Sequence, residues 1–106
     1  MNLSELQEKV MGNAMRFGEK HDIKIDVNFL LKKLYEEVGE FTSALLIHEG
    51  RARKQKLVPA SESEKMLRNE IADVIGISIA MATKLNIDVE KALEEKGWFR
   101  KLEDVQ

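Results

Sequence analysis

Two acidic clusters, Glu36-Glu37-Val38-Gly39-Glu40 and Glu70-Ile71-Ala72-Asp73, fall where helices should be burying hydrocarbon. Around the first, Leu30, Leu34, Phe41, Ala44 and Leu45 keep the three-four spacing of a core-facing stripe, and Glu37 occupies the turn between Leu34 and Phe41. Glu40 follows three residues later, about 60° around the helix from Glu37, so both carboxylates leave neighbouring turns of one face. In the second cluster Leu67, Val74, Ile77 and Met81 make the stripe. Glu70 fills its missing turn, and Asp73 stands one turn beyond.

Carboxylates directed into a core carry a desolvation cost of several kcal/mol each, and like charges held close together push one another's pKa values up. A divalent cation offsets both penalties. Mg²⁺ takes oxygen ligands, keeps some of its waters and completes its shell with substrate phosphates, so four inward carboxylates from two facing helices suit it, with Mn²⁺ as the possible substitute. One such cluster alone would read as a solvated face, with Lys32 and Lys33 pairing to Glu36 and Glu37 at i, i+4. Two clusters of matched spacing, each set into an apolar stripe, favour the metal reading.

The elements that must position these groups are helices. The 106 residues are expected to form one domain, 1–106, with a modest core. Apolar residues at 43%, charged residues at 34%, a single proline and few aromatics describe an all-α protein. Four helices are predicted: Leu3 to Lys20 with Gly18 through Lys24 as its exit, Asp26 as N-cap to Glu49 with Gly50 as the stop, Ser61 to about Asn86, and Asp88 as N-cap to about Lys101, finishing or interrupted near Gly97. Ser61-Glu62-Ser63-Glu64 has the form of a capping box. No segment alternates with period two in the manner of a strand.

The third helix is apolar all round from Ile71 to Ala82, and Gly76, Ser78 and Ala80 permit close approach. A homodimer or homotetramer that buries this face is therefore expected. The formal charge of −2 gives no electrostatic case for a nucleic-acid duplex or an anionic membrane. The lack of cysteine removes disulfide and thiolate chemistry. Met1-Asn2-Leu3-Ser4-Glu5 runs directly into an amphipathic pattern, and no stretch approaches the ~20 apolar residues of a membrane span, so a cytoplasmic location is expected.

Taken together, Glu-Glu-x-x-Glu followed on the next long helix by Glu-x-x-Asp resembles the MazG-like, all-α nucleotide pyrophosphohydrolase superfamily. The resemblance extends to the lead-in Leu30-Leu31-Lys32-Lys33-Leu34-Tyr35, to Gly39 inside the first motif, to the apolar helix that opens at Glu70, and to a short basic last helix. It implies a four-helix bundle-like fold packed in a homo-oligomer, Mg²⁺ dependence, and hydrolysis of nucleoside triphosphates to the monophosphate and pyrophosphate. Carried over by position, Glu37, Glu40, Glu70 and Asp73 would ligate the metal, and Glu36 would support them or orient water. Lys96 matches the family's late lysine, but Arg100 stands where asparagine is expected.

Such a cleavage requires charge neutralised on the phosphoryl oxygens, an aligned water and a stabilised leaving group. Glu40 or Glu36 could accept the water's proton, and the sequence does not choose between them. Lys33, Lys96 and Arg100 are the candidate phosphate ligands. Arg51, Arg53, Lys54 and Lys56 read as a solvated loop, and Trp98 and Phe99 as packing residues. His21 and His48 lack the Glu-x-x-His spacing of a di-iron bundle. Two alternatives stand beside the nucleoside triphosphate reading: a phosphoribosyl-ATP pyrophosphohydrolase of the same superfamily, and a non-catalytic helical dimerisation module with a structural cation site.

Overall fold

Local chemistry sets several of the helix ends. The computed structural model describes residues 1–99, and among these it contains α1 (Leu3–His21), α2 (Val27–His48), α3 (Ala60–Lys84) and α4 (Val89–Lys96), a 3-10 turn at Lys54–Lys56, and no strand. The all-α expectation holds. Arg100 and the expected helix end at Lys101 lie outside the described residues.

The Asn2 side chain opens α1 by accepting from the Glu5 amide at 2.8 Å, and Asp88 opens α4 by accepting from the Lys91 amide at 3.0 Å. Gly50 ends α2 with φ +71°, and the Arg51 amide reaches back to the Leu46 carbonyl at 2.8 Å. Gly97 ends α4 in the same way, with φ +90° and the Trp98 amide on the Leu93 carbonyl at 3.0 Å. The capping box expected at Ser61 is not what starts α3. The helix begins one residue earlier, with the Pro59 carbonyl accepting from the amides of Glu62 and Ser63, both at 3.0 Å. This early start frees Ser63 for a long-range role.

The helices fall into two units, Met1–Val27 with the chain from Ile79 onward, and Asn28–Ser78. In the first, α1 packs on α4, and Ile25, Ile79 and Ala80 are buried. Gly18, expected as the start of the α1 exit, lies inside the helix for a different reason. A Cβ there would come within 2.7 Å of the Ile23 carbonyl oxygen and 2.6 Å of Ile25 Cγ1, so only glycine lets the chain fold back over the helix end. The buried Gln7 joins three segments of this unit. Its Nε2 donates to Thr83 Oγ1 at 2.9 Å and to the Ile87 carbonyl at 2.8 Å, while its Oε1 accepts from the Val89 amide at 3.0 Å.

The second unit is an antiparallel hairpin of α2 and the greater part of α3, with Leu30 and Ala44 as its buried apolar residues. His48 Nδ1 and the buried Ser63 Oγ lie 2.8 Å apart at the end of the hairpin where the connection joins the two helices. Ser63 donates its own proton to the Ala60 carbonyl at 3.0 Å, so His48 is the donor in the pair. Some expected packing positions are open to solvent. Leu45 is exposed, as are Trp98 at 77% and Phe99. Among the described residues no helix is long and apolar enough to cross a membrane.

Gln7→Ala should cost about 2 to 3 kcal/mol in urea denaturation, since it removes three hydrogen bonds and leaves the Val89 amide and the Ile87 carbonyl without their partner. Thr83→Val, which removes one of the three, should cost about 1 kcal/mol. Equal losses in the two variants would show that Gln7 does not tie the segments together.

Candidate metal centre

The His48–Ser63 contact marks one point of the register between α2 and α3. Moving away from it by about two turns on each helix brings Glu40 level with Glu70, and about three turns brings Glu37 level with Asp73. Two groups of carboxylates result, Glu36 with Glu37 and Glu40, and Glu37 with Glu70 and Asp73, each able to offer one oxygen per residue with those atoms within 4.8 Å of one another. Glu37 belongs to both. The structure thus brings together all five acidic residues singled out in the sequence.

Their burial divides them. Glu37 is 9% exposed and Glu70 is partly covered, as their positions within the apolar stripes predict. Glu40, Asp73 and Glu36 are exposed, so of the four carboxylates expected to point inward only two do, and Glu40 and Asp73 form the rim. The 60° step from Glu37 to Glu40 is enough to carry the second group from the covered face to the edge.

Burial raises the pKa of Glu37 above the ordinary carboxylate value, and the charges of Glu40 and Asp73 and a hydrogen bond with Glu40 raise it further, against the opposing pull of Lys33. Glu70 is raised for the same reasons in the same order, burial first, then the charges of Glu40 and Asp73 and a hydrogen bond with Glu40. Glu40 therefore acts on both buried acids.

Lys33 stands one turn before the first motif. Its ammonium pairs with Glu36 Oε1 and lies 4.0 Å from Glu37 Oε1. The hydrogen bond to Glu36 raises its pKa most; burial opposes this, and the charges of Glu36, Glu37 and Glu40 add to it. Of the other expected phosphate ligands, Lys96 is an exposed residue in the last turn of α4, in the first unit. The basic loop Arg51, Arg53, Lys54 and Lys56 is exposed and lies past the end of α2, which is itself about three turns, roughly 16 Å, beyond Glu37. That distance fits the solvated-loop reading. His48, which the sequence offered only as an unpaired histidine, matters through its contact with Ser63; no local signal pairs two residues on different helices.

The donor set suits a hard divalent cation. Glu37 Oε2 and Glu70 Oε2 are both buried and neither has a hydrogen-bond partner. Such orphaned acceptors are costly, and a cation bound between them would satisfy both. Carboxylate oxygen alone, without imidazole or thiolate, is the chemistry of Mg²⁺, Mn²⁺ or Ca²⁺ sites.

An all-α chain with a carboxylate-only cluster carried on two facing helices defines a class of helical proteins built for divalent-cation chemistry. Within it, the family model described as the MazG-like family matches residues 27–103, a span that takes in α2, α3, α4 and every acidic residue of the cluster. The chain belongs to the MazG-like family, which points to the nucleotide pyrophosphohydrolase superfamily. It matches none of the curated proteins and none of the solved structures with which it was compared.

The raised pKa values of Glu37 and Glu70 tie stability to pH. An acid whose folded pKa lies above its unfolded value binds protons on folding, so the stability it lends is present below the ordinary value near 4.5 and is lost as pH rises through the folded value. In EDTA, the Tm of the wild type should fall relative to that of the Glu37→Gln/Glu70→Gln variant as pH rises from about 4.5 into the neutral range. Parallel Tm profiles would show that the two acids are not strained.

Proposed function

We propose that this chain is an Mg²⁺-dependent nucleoside triphosphate pyrophosphohydrolase, converting a ribo- or deoxyribonucleoside triphosphate to its monophosphate and pyrophosphate. The observation that carries the reading is the pair of buried, unpartnered oxygens of Glu37 and Glu70 within the carboxylate cluster of a MazG-like chain. Glu37, Glu40, Glu70 and Asp73 are the proposed metal ligands, with Mn²⁺ able to replace Mg²⁺. A bound divalent cation supplies charge neutralisation on the phosphoryl oxygens and on the departing pyrophosphate.

The chain's own groups do the rest. Water attacks the α-phosphorus, the bond to the α,β-bridging oxygen breaks, and the pair of electrons leaves on pyrophosphate. The water's proton passes to an exposed carboxylate at the rim, Glu40 or Glu36, both of which solvent can reach. Lys33, on α2 beside the cluster, is the proposed phosphate ligand. The cytoplasm, where nucleoside triphosphates and Mg²⁺ occur together, is the fitting location.

The proposed assembly is a homodimer or homotetramer. On α2, Leu31, Tyr35 at 73% and Val38 are exposed at three-four spacing, and on α3 Ile71 and Ile75 are exposed one turn apart. Large apolar side chains repeated on one helix face are typical of surfaces that another subunit covers. Ile75, at 52% exposed, is the suitable probe, because Ile79 on the same helix is buried.

Pyrophosphate release, measured across ribo- and deoxynucleoside triphosphates and phosphoribosyl-ATP with and without Mg²⁺, tests the reaction. Metal-dependent formation of monophosphate and pyrophosphate from a nucleoside triphosphate is the expected result. Activity confined to phosphoribosyl-ATP, diphosphate with orthophosphate as products, or cation binding without hydrolysis would each replace the reading. Glu37→Gln and Glu70→Gln should each lower kcat by roughly 100-fold, the scale of losing a group that places the transition-state charge. Near-normal turnover in both variants removes the site. In sedimentation at micromolar concentration the wild type should run as an oligomer and Ile75→Glu as a smaller species; a monomeric wild type refutes the assembly.

A further inference from the structure

Lys33 is held by the acidic cluster itself. Its ammonium faces Glu36, Glu37 and Glu40 from α2, while Glu70 and Asp73 close the cluster from α3. The hold is weak by design of the sequence. A lysine placed before glutamate at i+3 and i+4 has the less favourable order along a helix, and its main partner, the Glu36 side chain, is 54% exposed. The approach to Glu37 is only 4.0 Å. Lys33 also leaves Glu37 Oε2 and Glu70 Oε2 without a partner, so it compensates part of the cluster's charge and none of its orphaned acceptors.

We propose that Lys33 is a displaceable counter-ion: in the metal-free protein its ammonium neutralises the Glu37 side of the cluster, and a divalent cation must push it aside to bind. The inference rests on the metal reading of the site and adds that Lys33 sets the cation affinity. A flexible four-carbon stem lets the ammonium swing away from the cluster with its charge intact. The cost of expelling it is the repulsion between one positive charge and a divalent cation a few ångströms apart, an interaction that is screened where solvent enters.

The test titrates Mn²⁺ alone, without nucleotide, into the wild type, Lys33→Met and Lys33→Arg, following bound metal by electron paramagnetic resonance and calorimetry. Lys33→Met should bind Mn²⁺ on the order of tenfold more tightly than the wild type, and the difference should shrink as NaCl is added. Lys33→Arg, which keeps the charge, should stay close to the wild type. The metal-free Tm of Lys33→Met should fall below that of the wild type, because a charged cluster loses its counter-ion. If Lys33→Met disturbs the helical circular dichroism, Lys33→Gln takes its place. A folded Lys33→Met that binds Mn²⁺ with unchanged or weaker affinity overturns the proposal and makes Lys33 a strut for Glu36. A wild type that takes up no Mn²⁺ at millimolar concentration overturns the metal reading itself.

Discussion

Mutual repulsion among carboxylates that water does not fully reach is the constraint on which the second unit depends. Glu37 takes a position in α2 that the surrounding apolar pattern would give to leucine or alanine, and Glu70 does the same in α3. Burial and the neighbouring charges of Glu40 and Asp73 raise both pKa values, which measures how poorly the pair tolerates ionisation. A unit whose buried apolar residues are Leu30 and Ala44 has little packing energy with which to offset that strain. Stability is thus given up at the place where a cation would restore it, a familiar exchange at functional sites.

The hairpin answers this constraint with rigid, local devices. The glycine stop after α2, the proline carbonyl at the start of α3 and the His48–Ser63 hydrogen bond all lie at one end of the unit, while the acidic groups lie further down the two helices. Carboxylates on helices, unlike those on loops, cannot drift apart to relieve repulsion. They meet because the helical repeat carries them there, and they can lower their energy only by taking up protons, by pairing with Lys33 or by binding a cation.

Features set by short stretches of chain were legible in the sequence. The all-α class, the stops at Gly50 and Gly97, the cap at Asp88 and the inward direction of Glu37 and Glu70 all follow from spacing within a few turns. What was not legible depends on residues far apart in the chain. Ser63 reads as part of a capping box until His48 is placed beside it, and Gly18 reads as a helix exit until Ile23 and Ile25 fold back across it. Gln7 gives no sign in the sequence that it will bind Thr83, Ile87 and Val89. Glu40 and Asp73 were expected inward with their neighbours, but each is set at the rim by a rotation smaller than the width of the stripe. The exposure of Trp98 and Leu45 was missed because apolar spacing marks a face without saying how wide its cover is.

The His48–Ser63 contact has a consequence for how this chain can vary. Because His48 and Ser63 join the two helices beside the connection, residues 52–58, between the glycine stop and the proline carbonyl, are not among the contacts that hold the helix ends together. Length can be added or removed there at little thermodynamic cost, about 0.6 kcal/mol for each doubling of a flexible loop, while the distance from Glu37 to Glu70 stays the same. The connection is in effect a splice point, a place where evolution or an engineer can graft a new segment onto the hairpin without retuning its chemistry.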